Sequence, residues 1–462
     1  MTNKRFWQHD EKLLQSVTDW SLRLLVEGRD PRARARPADE LADALGETVV
    51  PAGIGGHEAL RLFAEVIVPA TRVQDNPMNL AYVPAAPTEA ALVFDLAVST
   101  AGMFAGTWEA GAGAIAAENQ ALAWLASLAG WPTTAGGCFV SGGTMGNLSA
   151  LVAARERART RIGGRPPRRW SFAATGEVHS SVRAAARVLD CDVLEVPVDD
   201  RGRMTGGVLA DTLNRVEVEG LFGVVVSSGT TNAGVVDDLA GVAEVCQGRD
   251  LWMHVDGAYG AAALAAPSVA DLFAGIEHAD SFVVDPHKWL FAPFDCCALV
   301  YREPEQGASA HSQFAGYLES VDRSEWNPAD YAVHLTRRAR GLPFWFSLAT
   351  YGTDRYRDAV ETVLAITRDA ADEARTHPNL HLVMEPDLSV LLIERSGWEM
   401  ADYEAWSTRN AEAGTVVCVP TRWQGRPVLR FCFVNPATDV VEVASVLDDL
   451  AVGSGLESFG SK

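Results

Sequence analysis

Lysine is nearly absent from the chain. Only four of the 39 basic residues are lysines, and three of them, Lys4, Lys12 and Lys462, lie close to one end or the other. Elsewhere the positive charge is carried by arginine, which stays protonated in proteins, whereas a buried lysine can lose its proton and act as an amine nucleophile. The isolated Lys288, within VVDPHKWLF (283–291), therefore indicates chemistry that arginine cannot perform, and we expect a Schiff base.

Positive charge is also in short supply overall. The chain has 39 basic and 60 acidic side chains, and its net charge is −21. Recognition of nucleic acids or of anionic membranes needs basic patches. The composition therefore argues against a nucleic-acid-binding or membrane-surface protein, and we interpret the acidic excess as a contribution to solubility.

Long apolar runs and paired cysteines are missing as well. No run reaches the ~18 apolar residues that a membrane span requires, and the opening residues MTNKRFWQHDEKLL lack the apolar region of a signal peptide. The seven cysteines are scattered without the paired spacing of a metal site. These absences predict a cytoplasmic protein with reduced thiols and no metal.

The pattern of apolar residues divides the chain into three predicted regions. Its 462 residues exceed one ordinary domain. Apolar residues at helical spacing predict an all-helical segment over 1–85. Over 86–345, short β-rich runs alternate with amphipathic helical stretches, which predicts an α/β domain built on a parallel sheet. Helix followed by strand-like runs predicts a small α+β domain over 346–462. The β-rich runs of the two later regions are 171–175, 193–198, 222–228, 251–255, 281–284, 298–301, 380–386, 388–395, 415–420 and 428–434.

A glycine-rich segment, GGCFVSGGTMGN (136–147), leads into a helical stretch. Such a turn lets backbone N–H groups approach a phosphate at a helix N-terminus, where the helix dipole also favours an anion. The segment lacks the lysine of a nucleotide P-loop. Considered by itself, it is either a phosphate cradle or a simple turn.

Asp256 ends an apolar strand in WMHVDGAY (252–259), where α/β sheets present groups that bind ligands. An acidic group there either caps the next helix or holds a pyridine nitrogen protonated, which makes the ring an electron sink. Lys288, preceded by His287, follows after one more short strand. Phosphate cradle, strand-end aspartate and His-Lys, in this order, are what a pyridoxal 5'-phosphate site of the aminotransferase-like fold requires.

The sequence resembles the group II pyridoxal phosphate-dependent amino acid decarboxylases, which include aromatic L-amino acid, glutamate and diaminobutyrate decarboxylases. The similarity covers nearly the whole chain. It implies an α/β fold of the aminotransferase type (fold type I), with a mostly parallel central sheet between helices, and pyridoxal phosphate as cofactor. It also implies a homodimer to which the N-terminal helices contribute. The motifs that carry the resemblance are NPMNLAYVP, SGGTMGN, EVHSSV, SSGTTNAGVVDDL, HVDGAYGAA, DPHKWL, FDC, RRARGLPFWF and LRFCFVNP.

The resemblance also implies roles for individual residues. Lys288 would form the internal aldimine, Asp256 would pair with the pyridine nitrogen and His179 would stack on the ring. The other cofactor contacts implied are the phosphate ligands Gly143, Thr144 and His287, and the ring contacts Thr231 and Ala258.

Tyr317 follows Lys288 at the distance of the tyrosine that supplies a proton in the aromatic-type members. Because relatives that make aldehydes tend to replace this tyrosine or the stacking histidine, the resemblance favours an amine product. An aldehyde synthase, an aminotransferase and a catalytically silent anion-binding scaffold are the alternatives, and the single interior lysine argues against the scaffold.

The resemblance places Tyr82, Val83 and Pro84 in the substrate pocket, with Thr107 or Trp108 from a partner subunit. Such a lining favours an aromatic or bulky apolar side chain. The SGGTMGN motif is closer to the glutamate and diaminobutyrate branches, and an acidic substrate would need an arginine in the pocket. An aromatic substrate is therefore slightly favoured, and an acidic or diaminobutyrate-type substrate is the alternative.

Overall fold

A seven-stranded sheet forms the centre of the molecule in the computed structural model, which describes residues 9–216, 219–313 and 324–453. Its strands are β1 (Gly136–Val140), β2 (Ser171–Thr175), β3 (Asp192–Val196), β4 (Leu221–Ser227), β5 (Trp252–Asp256), β6 (Ser281–Val284) and β7 (Cys297–Tyr301). Their order across the sheet is β1-β7-β6-β5-β4-β2-β3. All neighbours from β6 to β3 are parallel, whereas β7 runs antiparallel to both β1 and β6.

Two apolar cores cover the two faces of this sheet. In β4, Val224 and Val226 belong to one buried cluster and Val225 to the other, because successive side chains of a strand point to opposite faces. Burial on both faces explains the nearly continuous apolar character of the central strands.

Fifteen α-helices and several short helices complete the described parts of the chain. None of them combines the length and apolarity needed to cross a bilayer. The α-helices are α1 (Glu11–Glu27), α2 (Ala38–Leu45), α3 (Gly56–Leu62), α4 (Glu89–Ala101), α5 (Trp108–Leu128), α6 (Gly143–Ile162), α7 (Ser180–Leu189), α8 (Gly206–Arg215), α9 (Leu239–Arg249), α10 (Pro286–Trp289), α11 (Pro304–His311), α12 (Leu342–Tyr351), α13 (Thr353–Thr376), α14 (Met400–Ala413) and α15 (Val440–Val452). A π-helical turn covers Phe63–Ile67, and 3₁₀ turns cover Gly260–Ala265, Pro267–Phe273, Ile276–His278 and Pro328–Asp330.

A second, antiparallel sheet lies in the C-terminal part of the chain. Its order is β10-β11-β9-β8. These strands are β8 (Leu380–Leu382), β9 (Val390–Arg395), β10 (Val419–Trp423) and β11 (Arg426–Cys432). The predicted fold class, a mostly parallel sheet with flanking helices and a small α+β part, is confirmed. The domain boundaries near residues 85 and 345 stay predictions.

The strand predictions were accurate where strands are apolar and bounded by loops, and less accurate elsewhere. β2 and β6 coincide with the predicted runs 171–175 and 281–284, whereas β10 begins four residues later than the run 415–420. β1 was not predicted, because its glycines were interpreted as part of a turn. A Cβ atom on Gly137 would lie 1.9 Å from the carbonyl oxygen of Leu299 in β7, so the glycine permits close approach of two strands.

Candidate active site

The carboxyl ends of three parallel strands meet at one edge of the central sheet. Ser227 at the end of β4 is in register with Asp256 at the end of β5, and Asp256 is in register with Val283 in β6. The short helix α10 after β6 carries Lys288, so the topology brings Asp256 and Lys288 to the same edge. A cavity of about 240 Å³ lies there. It is lined by Tyr82, Val83, His179, Ser227, Gly229, Thr230, Thr231, Asp256, Ala258, Tyr259 and Lys288.

Lys288 forms an ion pair with Asp285, one helical turn earlier. Its Nζ lies 2.8 Å from Oδ2 of Asp285, which is buried. Burial lowers the pKa of Lys288, but the charge and hydrogen bond of Asp285 outweigh it, so the pKa lies above its ordinary value. Burial raises the pKa of Asp285, while Lys288 and His287 lower it by more, so the net shift is downwards. Without cofactor, the lysine is therefore an ammonium group near neutral pH.

Asp256 is held by groups on both sides of its carboxylate. Oδ2 accepts a hydrogen bond from Nδ2 of Asn147 at 2.9 Å, and Oδ1 accepts one from the backbone N–H of Ala258 at 3.2 Å. The bond to Ala258 is a local turn contact, and no side chain caps the helical turn Gly260–Ala265 that follows, so Asp256 is not the helix cap that was the alternative interpretation. The bond to Asn147 comes from 109 residues away and fixes the carboxylate at the floor of the cavity.

The glycine-rich segment ends as the N-terminus of α6. No side chain caps this helix at Gly142, and the N–H groups of Gly143 and Thr144 have no acceptor within the helix. A Cβ atom on Gly143 would lie 2.9 Å from Cβ of Ala258, so only glycine leaves the space beside the cavity open. The arrangement fits an anion such as a phosphate group.

His287 borders this glycine turn from the other side. Its Nε2 lies 3.7 Å from Oδ2 of Asp285, and its Nδ1 lies 2.7 Å from the carbonyl oxygen of Cys296. Burial lowers the pKa of His287, despite the opposing effect of Asp285.

The mouth of the cavity is formed by His179, Thr231 and Tyr82, and Arg430 lies behind it. The Arg430 guanidinium donates to the carbonyl oxygens of Tyr82 at 2.5 Å, Thr231 at 2.7 Å and Asn232 at 3.1 Å. It therefore ties the segment of Tyr82 to the segment of Thr231 and Asn232.

Some of the predicted site residues do not line this cavity. Pro84 is buried beside it, and the backbone N–H of Trp108 donates to Oδ1 of Asn327 at 2.9 Å. Because Thr107 or Trp108 was expected from a partner subunit, and the structure describes one chain, that expectation stays a prediction. Tyr317 lies outside the described residues.

Four residues with evident parts in the site were missed: Asn147, His254, Asp285 and Arg430. The first three stand in the motifs SGGTMGN, HVDGAYGAA and DPHKWL beside residues that were singled out. Arg430 could have been noticed as a charge inside an apolar strand, since β11 is buried over most of its length. A buried polar side chain in a strand usually has a specific partner.

Comparisons with known proteins agree on one family. The model of the pyridoxal-dependent decarboxylase conserved domain matches residues 59–393. An aromatic-L-amino-acid decarboxylase of Bacillus atrophaeus is 27% identical over 432 residues, covering 90% of this chain and 89% of the relative. An L-2,4-diaminobutyrate decarboxylase of Rhizobium meliloti is 30% identical over 410 residues, covering 86% and 81%.

Among solved structures, the fold is similar to that of Oryza sativa TDC with PLP and tryptamine. The TM-score is 0.87 at 23% sequence identity, and the match covers 95% of this chain and 98% of that one. At this level of identity the similarity establishes the fold.

Proposed function

Because the chain belongs to the pyridoxal-dependent decarboxylase family, we propose that it decarboxylates an aromatic L-amino acid and that Lys288 holds the cofactor. Membership makes the protein a carboxy-lyase that acts on amino acids with pyridoxal phosphate as cofactor. The aromatic substrate, the roles of individual residues, the homodimer and the cytoplasmic location are our proposals.

The residues around the cavity fit this cofactor. The N-terminus of α6 at Gly143 and Thr144, with His287 beside it, would bind the phosphate, and Asp256 would face the ring nitrogen. When bound, pyridoxal phosphate takes up the electron pair that the departing carboxyl group leaves behind. The fixed negative charge of Asp256 would favour the protonated ring nitrogen, which makes the cofactor a stronger electron acceptor.

Further contacts are proposed for the residues at the cavity mouth. His179 would pack its imidazole against one face of the ring, and Ala258 would lie against the other. Thr231 would contact the polar edge of the ring. Each of the three lines the cavity that contains Asp256 and Lys288.

The lining of the cavity supports an aromatic substrate. Tyr82 and Val83 provide the wall, and no arginine is among the described residues that line it. The nearby Arg430 directs its guanidinium to three backbone carbonyl groups. A substrate with a carboxylate side chain would bury that negative charge in a cavity whose described lining offers it no arginine. This observation carries the choice of substrate class.

L-2,4-diaminobutyrate is the second candidate. It is favoured by the SGGTMGN motif and by the 30% identity to a diaminobutyrate decarboxylase. Its cationic side chain would require a carboxylate, and Asp256, which we assign to the cofactor, is the one carboxylate among the described residues of the lining.

The test is product analysis by mass spectrometry. The protein, supplied with pyridoxal phosphate, is incubated separately with the L-amino acids Trp, Tyr, Phe, His, Glu, Asp and diaminobutyrate. We expect the amine of an aromatic substrate, with kcat/KM ~10-fold or more above that for Glu. An amine from Glu or diaminobutyrate alone would reassign the substrate class.

We propose Tyr317 as the donor of the proton that replaces the carboxyl group. Formation of an aldehyde with ammonia in the same product analysis would contradict that role.

The Lys288–Asp285 ion pair leads to a prediction for cofactor uptake. The lysine must lose its proton to react, and its raised pKa keeps it protonated until the pH rises through that pKa. Uptake by the cofactor-free protein is therefore expected to accelerate with pH. Asp285→Asn removes the stabilising charge and should accelerate uptake ~10-fold or more at pH 7, because each pKa unit changes the neutral amine fraction tenfold. Stopped-flow absorbance measures the rates from pH 6 to values above the pKa of Lys288, where a difference in the neutral amine fraction disappears.

The shape of the pH profile separates two effects of this substitution. If Asp285 acts through Lys288, the profile of Asp285→Asn shifts to lower pH and meets the original profile at high pH. Acceleration by one factor at every pH would contradict this explanation, and would indicate that Asp285 acts by repelling the phosphate.

A further inference from the structure

A line of buried hydrogen bonds runs beneath the cavity from Trp252 to Asp256. Trp252 Nε1 donates to Ser281 Oγ at 2.9 Å, and this oxygen lies 2.8 Å from His254 Nδ1. His254 Nε2 lies 2.9 Å from Oδ1 of Asn147, whose Nδ2 donates to Asp256 at 2.9 Å. Four of these residues are at most 1% exposed and Asp256 is 6% exposed, so water does not compete for their hydrogen bonds.

The chemistry of the groups gives this line one direction. A carboxylate can only accept, so Asn147 directs Nδ2 to Asp256 and its oxygen Oδ1 to His254, whose Nε2 must carry the hydrogen between them. Burial lowers the pKa of His254 to about 4, so the ring is neutral near pH 7. Since the hydrogen is on Nε2, Nδ1 accepts from Ser281 Oγ, which itself accepts from the indole N–H of Trp252. The amide group of Asn147 is thereby held with Nδ2 towards Asp256.

The same amide reaches a second group of the proposed site. Asn147 Nδ2 also donates to Ser181 Oγ at 3.0 Å. Ser181 Oγ lies 2.8 Å from His179 Nδ1, which accepts the backbone N–H of Ser181 at 3.2 Å. Nδ1 therefore acts as an acceptor, which leaves Nε2 as the ring nitrogen that carries a hydrogen. One amide orientation thus influences both Asp256 and His179.

We propose that His254 is a positioning residue: its Nε2–H fixes the Asn147 amide, which in turn sets the Asp256 carboxylate and, through Ser181, the His179 ring for the cofactor. The inference rests on the proposed roles of Asp256 and His179. A flipped Asn147 amide would present its oxygen to the Asp256 carboxylate, and two acceptors in contact repel each other. His254 prevents this flip because its Nε2–H is a donor, and of the two ends of the amide only the oxygen can accept from it.

The first test is the affinity of the cofactor-free protein for pyridoxal phosphate, measured by absorbance titration. His254→Phe should weaken the affinity ~10-fold or more, and His254→Gln, which keeps a side-chain N–H, should recover most of the loss. The matched control is His311→Phe, which removes another buried histidine, bonded to the carbonyl oxygen of Ser149 at 2.9 Å and outside the line. Thermal midpoints of all three cofactor-free variants show what is lost in stability alone.

Several outcomes would overturn the proposal. It fails if His254→Phe binds the cofactor like the unchanged protein, or if His311→Phe weakens binding equally. Nitrogen NMR of histidine-labelled unchanged protein provides a test that no folding defect can obscure, with His254→Gln used for assignment. A neutral ring with hydrogen on Nε2 near pH 7 is expected, and hydrogen on Nδ1 contradicts the direction of the line. Retention of the cofactor band in Lys288→Ala would instead overturn the proposed function.

Discussion

Replacing Lys288 with alanine is expected to abolish the absorbance band of the lysine-bound cofactor and to lower kcat/KM by more than ~1000-fold. A catalytic nucleophile whose removal leaves only binding and electrostatic effects typically has an effect of this size or larger. Lys288 is the one described lysine that lines the cavity, and its Nζ lies 2.8 Å from Oδ2 of Asp285. Absorbance spectra with added pyridoxal phosphate and steady-state amine formation are the measurements.

Two further variants distinguish loss of the amine from loss of charge or fold. Lys288→Arg keeps a cation for Asp285 but cannot supply a neutral amine, so the protein should fold and remain inactive. Lys12→Ala changes an exposed lysine of α1 and should leave both the band and the rate unchanged. Substantial amine formation by Lys288→Ala would contradict the proposed role. A protein without the band in either form would be the catalytically silent scaffold.

The second large effect concerns stability. Arg337→Met is expected to lower the free energy of unfolding by about 3–5 kcal/mol, because it leaves Glu118 as an unpaired buried charge. Both side chains are at most 2% exposed, and the two Nη–Oε distances are 2.7 Å. Arg337 also donates to the carbonyl oxygen of Ala105, and Glu118 accepts the N–H of Gly341. Urea unfolding of the cofactor-free protein measures the change.

A double variant and a surface pair serve as controls. Glu118→Leu combined with Arg337→Met removes both charges and should cost less than Arg337→Met alone, since no charge is left without a partner. The exposed pair Arg357–Asp354 should contribute at most ~1 kcal/mol when either residue is changed to alanine. A loss below ~1 kcal/mol for Arg337→Met would show that Glu118 finds water or another partner.

Much of the fold could be predicted because the strands and helices follow from local patterns of apolar residues. Apolar runs of four to seven residues mark the strands of the central sheet, and their burial on both faces follows from the two cores. β1 was missed because Gly136 and Gly137 look like turn residues, and their close approach to β7 depends on a strand that lies far along the chain.

The residues of the candidate site also fall into those that the sequence predicted and those that it did not. Lys288, Asp256 and Gly143 are conspicuous by residue type and local context. Asn147 and Asp285 were missed because their importance depends on what they touch: the carboxylate of Asp256 in one case and the Lys288 amine in the other.

The sequence by itself determined the kinds of element, the rarity of lysine and the set of chemical groups available for binding a cofactor. Only the tertiary structure decided that Asn147 bonds Asp256, that Arg430 ties two loops together, and that His254 bonds Asn147 from 107 residues away. Hydrogen bonds and ion pairs act over a few ångströms. Their partners are therefore set by the register of neighbouring strands and by the crossings between them, which no local pattern specifies.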